Sequence, residues 1–461
     1  MTISVGIDAI AYYVPPLTLP IPELARARDI VPAKLERGLG LKNMALPDTD
    51  EDAASMAANA LYRLLVENDL DPREIGRVYL GTESALDAAK PTATYAVGTV
   101  EEALSDSFGE RSFQRCDVVD LTFACIAAVD AVQNCLDWIA AGTDRKAIVI
   151  ASDIAKYELG STGEYTQGAG AVALLLTAAP RILSIDPHWG VGMAHVGDFF
   201  KPRRRFSRGD LSQRTDQLQL RDLFDTEKEH IELFFEEPVF DGQYSNQCYK
   251  DRISEAMDHL NEQQPTNFLE DWQQIIFHLP YAYQGRRMIL DNWLGWLQQQ
   301  NRMAELEQEI GPVGEDRKAW KRAASKSALF KNFVAERIAP GEVASSEIGN
   351  MYTASIFMSL LSYLIVSREQ GRKIAGDTVG FLAYGSGSKS KAFSGQVQAG
   401  WQERIAHLDL FGELSKRTVI DLDTYERLHN GALSESVAEK TQLRLAEIET
   451  AVNREGYRIY A

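Results

Sequence analysis

Five places in this 461-residue chain carry groups that could act on a thioester: Glu83, Cys125, His278, Asn350 and the turn G-S-G-S at 385–388. Cys125 stands between a short apolar run, V-V-D-L at 118–121, and a segment at 126–141 that begins I-A-A-V. The run reads as a buried strand. The segment reads as a helix that is apolar nearly all round in its first half, as a helix inside an α/β protein is. A cysteine at the start of such a helix meets unpaired backbone N–H groups and the positive end of the macrodipole. Both favour a thiolate, and the same N–H groups can hold an oxyanion. A thiolate nucleophile, a carboxylate base, an imidazole and backbone N–H donors are the set that a thioester Claisen condensation requires. Each residue alone also has a plain structural use: Cys125 as a small buried apolar group, Glu83 as a surface acid, His278 as a satisfied core histidine, Asn350 as an N-cap, Gly385 and Gly387 as a tight turn. Position distinguishes the two readings, because all five fall at the end of a predicted strand or the start of a predicted helix, where a purely structural sheet has no need of them.

The elements that must hold these residues alternate between strand and helix. Residues 5–14 alternate in polarity and stop at Pro15 and Pro16, which predicts a strand; 21–30 predicts a short helix. Met56, Ala57, Ala60, Leu61, Leu64 and Leu65 give 52–68 the spacing of a long amphipathic helix. Residues 77–84 form a strand pattern whose C-terminal end carries Glu83, the end at which chemistry collects in α/β sheets. Strand patterns follow at 146–153, again with an acidic end, and at 168–176. The second half repeats this grammar. A strand at 274–278 ends at His278, residues 347–350 lead into a helix at 351–367, and a strand at 378–384 ends in the glycine turn and pairs with 391–398. The repetition predicts an internal duplication of a β/α unit in an α/β layer protein. The expected organisation is an N-terminal half over 1–180, a connecting segment over 181–245 and a C-terminal half over 246–461.

Two stretches interrupt the pattern. In 199–237, Lys201, Arg203, Arg204, Arg205 and Arg208 cluster ahead of charged and Gln residues without apolar periodicity, which predicts a surface insertion. The cluster is either a solvated face or a local site for an anion. Residues 293–331 are Gln- and charge-rich, and a helical insertion over about 290–335 is expected there as an exposed hairpin of helices. Cys248 lies at the start of a predicted helix reaching about residue 260.

Composition excludes several classes. With 45% hydrophobic and 25% charged residues the chain suits a globular protein long enough for two core-forming units. Forty-eight Lys and Arg against 66 Asp and Glu leave a net charge of −18, which argues against nucleic acid or an anionic membrane as partner. No run approaches a transmembrane helix, and the N-terminus lacks a basic start followed by an apolar block, so a cytoplasmic protein is expected. The four cysteines and seven histidines show no zinc spacing, and no phosphate-binding glycine loop appears, so neither a metal nor a nucleotide cofactor is expected.

On ten ordered segments the chain resembles the 3-hydroxy-3-methylglutaryl-CoA (HMG-CoA) synthases, the acetyl-condensing members of the thiolase superfamily. The segments are V-G-I-D-A-I at 5–10, G-T-E-S at 81–84, F-A-C-I at 123–126, S-D-I-A-K-Y at 152–157, T-Q-G-A-G-A-V at 166–172, D-F-F-K-P at 198–202, P-V-F-D-G-Q-Y-S at 238–245, F-H-L-P at 277–280, G-N-M-Y-T at 349–353 and Y-G-S-G-S at 384–388. The resemblance implies a thiolase-like fold, two duplicated β/α halves in αβαβα layers. It implies that Cys125 accepts the acetyl group, Glu83 is the general acid/base, and His278 and Asn350 position acetoacetyl-CoA. It further implies that the amides of Cys125 and Ser386 form an oxyanion hole, and that Tyr157, Thr166, Phe200, Pro280, Gly385 and Arg286 lie in segments around the substrate. Acyl-CoA substrates, no organic cofactor and a homodimer come with it.

The chain departs from the family pattern at several points. I-A-A-V follows Cys125 where small residues and Gly are usual, Tyr165 replaces a common proline, and Tyr283 stands where many members have a lysine, leaving Arg286 or Arg287 to meet CoA phosphates. A relative that takes its acyl groups from an acyl carrier protein shares the catalytic set and is the rival reading; a scaffold homologue without activity is a further one.

Overall fold

The computed structural model describes residues 4–207, 230–439 and 443–461. Ten strands form its main sheet. Numbering the strands of this sheet alone, they are β1 Val5–Tyr13, β2 Arg77–Gly81, β3 Asp117–Leu121, β4 Ala147–Ala155, β5 Gly168–Ala178, β6 Leu183–Ile185, β7 Gly190–Met193, β8 Gln274–Phe277, β9 Thr378–Gly385 and β10 Lys389–Val397. The spatial order is β8-β9-β10-β6-β1-β5-β4-β2-β3, with β7 paired to β10.

The duplication read from the sequence is written into this order. In the N-terminal half β2 runs parallel to β4, β4 antiparallel to β5, and β5 antiparallel to β1. In the C-terminal half β8 runs parallel to β9, β9 antiparallel to β10, and β10 antiparallel to β6. The same succession of senses occurs twice, and the halves join where β1 pairs with β6 over Val5–Ile185, Gly6–Ser184 and Ile7–Leu183.

Helices complete the layers. The helix α1, Ala53–Glu67, starts at a capping box: Asp52 accepts from the amides of Ala54 and Ser55, and the Ser55 hydroxyl accepts from the Asp52 amide. Its apolar stripe is buried against alternate residues of β1, β4 and β5, among them Ala9, Ala11, Ile148, Ile150 and Leu175. The opposite faces, with Ile7, Ile10, Tyr12, Val149 and Leu174, share a core with two central helices, α2 Ala127–Ala140 and, from the other half, α4 Ser355–Glu369. The β9 and β10 residues Val379, Phe381 and Phe393 line that same core, so α2 and α4 lie between the two halves. The outer layer of the C-terminal half is α3, Gly242–Gln263, with the helical insertion. Sheet, central helices and outer helices together make the expected thiolase-like α/β arrangement.

Two local expectations are corrected. The insertion is not an exposed hairpin but four short helices, Leu290–Gln299, Met303–Ile310, Arg317–Ala324 and Ala328–Arg337. Trp293, Trp296, Leu297, Leu306, Phe330 and Val334 are buried in a shared core with α3, and Trp293 meets Phe330 edge-on at 4.9 Å. Each helix contributes only one to three apolar residues, too few for a periodic signal along the sequence. The helix expected from residue 351 begins instead with a 3-10 turn, Tyr352–Ala354, before α4. Of the expected surface insertion, Arg204–Ser207 pairs with His230–Leu233, and Arg208 lies outside the described residues. No helix among the described residues is long and apolar enough to cross a membrane.

Candidate active site

Parallel neighbours point their C-terminal ends the same way, which is why Glu83 and Cys125 meet. β2 and β3 are paired from Arg77–Asp117 to Gly81–Leu121. Glu83 follows the end of β2, and Cys125 occupies the tight turn between β3 and α2, with Ala124 at φ 40°. Such a φ in a non-glycine residue is strained and is held only by its surroundings. The Cys125 thiol donates to Glu83 Oε1 at 3.1 Å.

The electrostatics correct one expectation. Cys125 is 9% exposed, and burial together with the facing Glu83 carboxyl raises its pKa well above the ordinary value. The resting group is a thiol hydrogen-bonded to a carboxyl, and the N-terminus of α2 does not outweigh that burial. Glu83 itself is pushed up to about 7 by burial, with Lys201 opposing and Asp153 adding to the shift. A carboxyl poised near neutrality can take a proton and return it.

Asp153 positions this pair. Buried at the end of β4, its Oδ1 accepts from the Glu83 amide at 2.8 Å and the Thr82 hydroxyl at 2.9 Å. Its Oδ2 accepts from the amide and hydroxyl of Thr353, which ties the turn before α4 to the Glu83 loop. In the sequence Asp153 stands out as an acidic strand end and lies within S-D-I-A-K-Y at 152–157, but its tie between Glu83 and Thr353 depends on the fold.

The second half repeats the device. β8 and β9 are parallel from Gln274–Val379 to Phe277–Leu382, so His278 and the 385–388 turn emerge side by side. The His278 carbonyl accepts from the Tyr249 hydroxyl at 2.6 Å, and Tyr249 stacks on Tyr384 at 4.3 Å. Buried Asp198 accepts from the Tyr384 hydroxyl at 2.6 Å and the Gly387 amide at 2.8 Å, which fixes the turn. Gly385 lies so close to the Cys125 turn that a Cβ would sit 2.7 Å from the Phe123 carbonyl oxygen. This close approach brings Ser386 to the cysteine. The His278 ring is buried, its Nδ1 has no partner among the described residues, and burial lowers its pKa to about 3. It is a neutral imidazole, able to donate to or accept from a substrate oxygen without bringing a charge.

Asn350 arrives through Gly349, whose φ of 88° and close approach to the Gln167 carbonyl exclude a side chain. Its amide donates to the Thr166 carbonyl at 3.0 Å, and its Oδ1 accepts from the Tyr352 amide at 2.9 Å. Asn350 is thus not the N-cap that the sequence also allowed, a place taken by Met351; its side chain closes a local turn on the cavity wall.

These groups line two adjoining cavities that share Phe199 and Ser386. The inner one, of about 640 Å³, is lined by Cys125, Tyr157, Thr166, His278, Pro280 and Asn350, with Tyr352, Ser386 and Arg287 also on its wall. The outer one, of about 620 Å³, is lined by Glu83, Phe200, Lys201, Arg203, Phe234 and Gly387 among others. Arg286 is not with them. It is engaged by buried Glu342 and packs over the Tyr283 ring at 3.7 Å, so its guanidinium is held at a different surface. Tyr283 and Glu342 hold Arg286 there, whereas Arg287 reaches the wall of the inner cavity. No cluster of metal-ligating side chains occurs among the described residues.

Two family models match the chain: that for the N-terminal part of hydroxymethylglutaryl-coenzyme A synthase over residues 2–180, and that for the C-terminal part over 219–445. A hydroxymethylglutaryl-CoA synthase of Haloferax volcanii is 30% identical over 442 residues, covering 93% of this chain and 91% of the relative. The chain belongs to the hydroxymethylglutaryl-CoA synthase family. A solved MvaS in complex with 3-hydroxy-3-methylglutaryl coenzyme A superposes with a TM-score of 0.77 at 30% identity, covering 100% of this chain and 99% of that one. A curacin-pathway HMG synthase in complex with its acetyl donor-ACP, at 23% identity, a TM-score of 0.76 and 99% coverage of both chains, shares the fold. Within the hydroxymethylglutaryl-CoA synthase family the cysteine, glutamate and histidine singled out from the sequence stand together in one site here. Lys201, Asp153, Asp198, Tyr249 and Tyr352 join them, and their contacts at the site come from the fold.

Proposed function

We propose that this chain condenses acetyl-CoA with acetoacetyl-CoA and water to give HMG-CoA and CoA through an acetyl-Cys125 intermediate. The observation that carries the reading is the contact of the Cys125 thiol with Glu83 Oε1 at 3.1 Å, at the junction of two cavities that also hold a neutral His278. Cys125 attacks the acetyl thioester and CoA leaves as the thiol. Glu83 then removes a methyl proton, and the carbon attacks the ketone of acetoacetyl-CoA. His278 and Asn350 hold that ketone, whose oxygen gains a proton. Water cleaves the cysteinyl thioester and restores the thiol. Thioester α-protons suit this step, because the developing enolate oxygen can be held by the backbone donors that served acylation. Mass spectrometry after mixing with acetyl-CoA should find one acetyl group on Cys125, discharged on adding acetoacetyl-CoA. An acetyl group that acetoacetyl-CoA cannot discharge, or none, contradicts the reading.

His278→Ala should still be acetylated but should bind acetoacetyl-CoA about tenfold more weakly, as expected for one lost hydrogen bond in a buried site. Unchanged saturation by acetoacetyl-CoA would remove His278 from the second-substrate pocket.

CoA as carrier is supported by the cations on the cavity walls. On a protein of charge −18, pyrophosphate and 3′-phosphate need local positive charge, and Arg203 at the outer mouth and Arg287 at the inner wall supply it. Charge reversal at Arg203 should raise KM for acetyl-CoA several-fold, less so at high salt, and leave acetyl-pantetheine unaffected. If only acyl-carrier-protein kinetics respond, the carrier-protein reading is the better one.

Homodimerisation is part of the proposal. β3 is the edge strand of the sheet and its residues are only partly covered, so a second copy pairing there would satisfy an open ladder next to Cys125. Light scattering should give twice 51.3 kDa; a monomer at all concentrations contradicts it.

A further inference from the structure

Lys201 is a side chain at the site for which the reaction above has no use. It follows the two-residue strand Phe199–Phe200, which pairs with Val239–Phe240. Asp198, locked onto Tyr384 and Gly387, fixes where that strand begins. The long side chain is therefore presented from a rigid base, and only 10% of it is exposed. Its ammonium lies 3.8 Å from Glu83 Oε2, donates to the Glu83 carbonyl at 3.4 Å and sits over the Tyr352 ring at 4.6 Å. A buried lysine loses hydration, and these three contacts replace it.

The groups facing Glu83 come from every side. Cys125 faces it from the start of α2, Asp153 from β4, Tyr157 from the segment after β4, Tyr352 from the turn before α4, and Lys201 from the strand at the cavity junction. Burial and Asp153 disfavour a charge on Glu83, whereas Lys201 and the hydrogen bond from the Cys125 thiol favour one. The two oxygens of Glu83 are thereby given different partners, Oε1 to the thiol and Oε2 to the ammonium.

We propose that Lys201 is a positioning residue that holds the Glu83 carboxylate ionised and oriented, so that one oxygen stays aimed at the group carried on Cys125. The proposal rests on the functional reading above, in which Glu83 takes a proton from acetyl-Cys125. Lys201 acts through Glu83 and forms no bond to substrate.

The test uses the full-length protein and two variants, Lys201→Met and Lys201→Arg. An opposite charge at this distance typically moves a carboxyl by about one unit or more. In Lys201→Met the acid limb of the condensation rate should therefore move up by about one pH unit. The rate should fall about fivefold near pH 7 and recover at about pH 9, whereas Lys201→Arg should stay close to the parent. Independently of activity, the infrared band of the protonated Glu83 carboxyl, assigned with Glu83→Gln, should persist to higher pH in Lys201→Met. An equal loss of rate at every pH, or a carboxyl band that titrates as in the parent, overturns the proposal. If Lys201→Met does not fold, the same two readouts on Lys201→Gln decide. Failure of the parent protein to take up acetyl from acetyl-CoA would count against the functional reading instead, and the infrared titration would still judge the pairing.

Discussion

Cys125→Ala will carry no acetyl group after exposure to acetyl-CoA, and its condensation rate will fall to background, a loss of at least about 10⁴-fold as for other removed nucleophiles. The other three cysteines cannot substitute. Cys116 and Cys135 are each pushed up to about 12 by burial, with Asp117 adding to the effect at Cys116. Cys248 lies buried within α3 and its thiol is also raised by burial. At Cys125 the raised pKa is answered by a carboxyl at 3.1 Å that can accept the proton as sulfur attacks. The measurement is intact-protein and peptide mass spectrometry, and acetyl label on Cys116, Cys135 or Cys248 would sink the assignment.

Glu83→Gln should separate the two halves of the reaction. Its cysteine should still become acetylated, more slowly, while carbon–carbon bond formation drops about 10²–10⁴-fold, the usual worth of a general base. In the parent protein condensation should fall as pH drops through about 7, because only the ionised carboxyl can take a methyl proton. Stability carries the opposite sign. The carboxyl ionises near 4.5 when unfolded and near 7 when folded, so its contribution is fully present below about 4.5 and is lost as pH rises to about 7. Above that, Glu83→Gln should be more stable than the parent by as much as roughly 3 kcal/mol, from 1.36 kcal/mol per unit. Equal denaturation midpoints at about pH 8, together with an undiminished condensation rate, would remove Glu83 from its role.

What the sequence disclosed depended on how local each signal was. The strands ending at Glu83, His278 and Gly385 were legible because apolar runs and their terminators lie within a few residues. The stripe along α1 was legible for the same reason. The Cys125 turn was placed correctly but its charge state was not, since burial by Tyr157 and Tyr352 and the approach of Glu83 are long-range facts. The place of Arg286, apart from the two cavities, was not legible because nothing near it announces Glu342, which lies 56 residues away. Lys201 was visible as one cation of a basic cluster and as part of D-F-F-K-P at 198–202, but its contact with Glu83 depends on the pairing of Phe199–Phe200 with Val239–Phe240.

The doubled strand order divides the labour between the two halves of the chain. In the proposed reaction the N-terminal half presents Glu83 and Cys125, which would load and activate the donor; the C-terminal half presents His278 and Asn350, which would hold the acceptor, and lends the 385–388 turn to the cysteine. Donor and acceptor preference are thus written on separate stretches of polypeptide joined by three residue pairs between β1 and β6. Diversification of the end of β8 should change which ketone is accepted while acetyl loading goes on unaltered, so the chain can acquire new electrophiles without relearning its first chemical step.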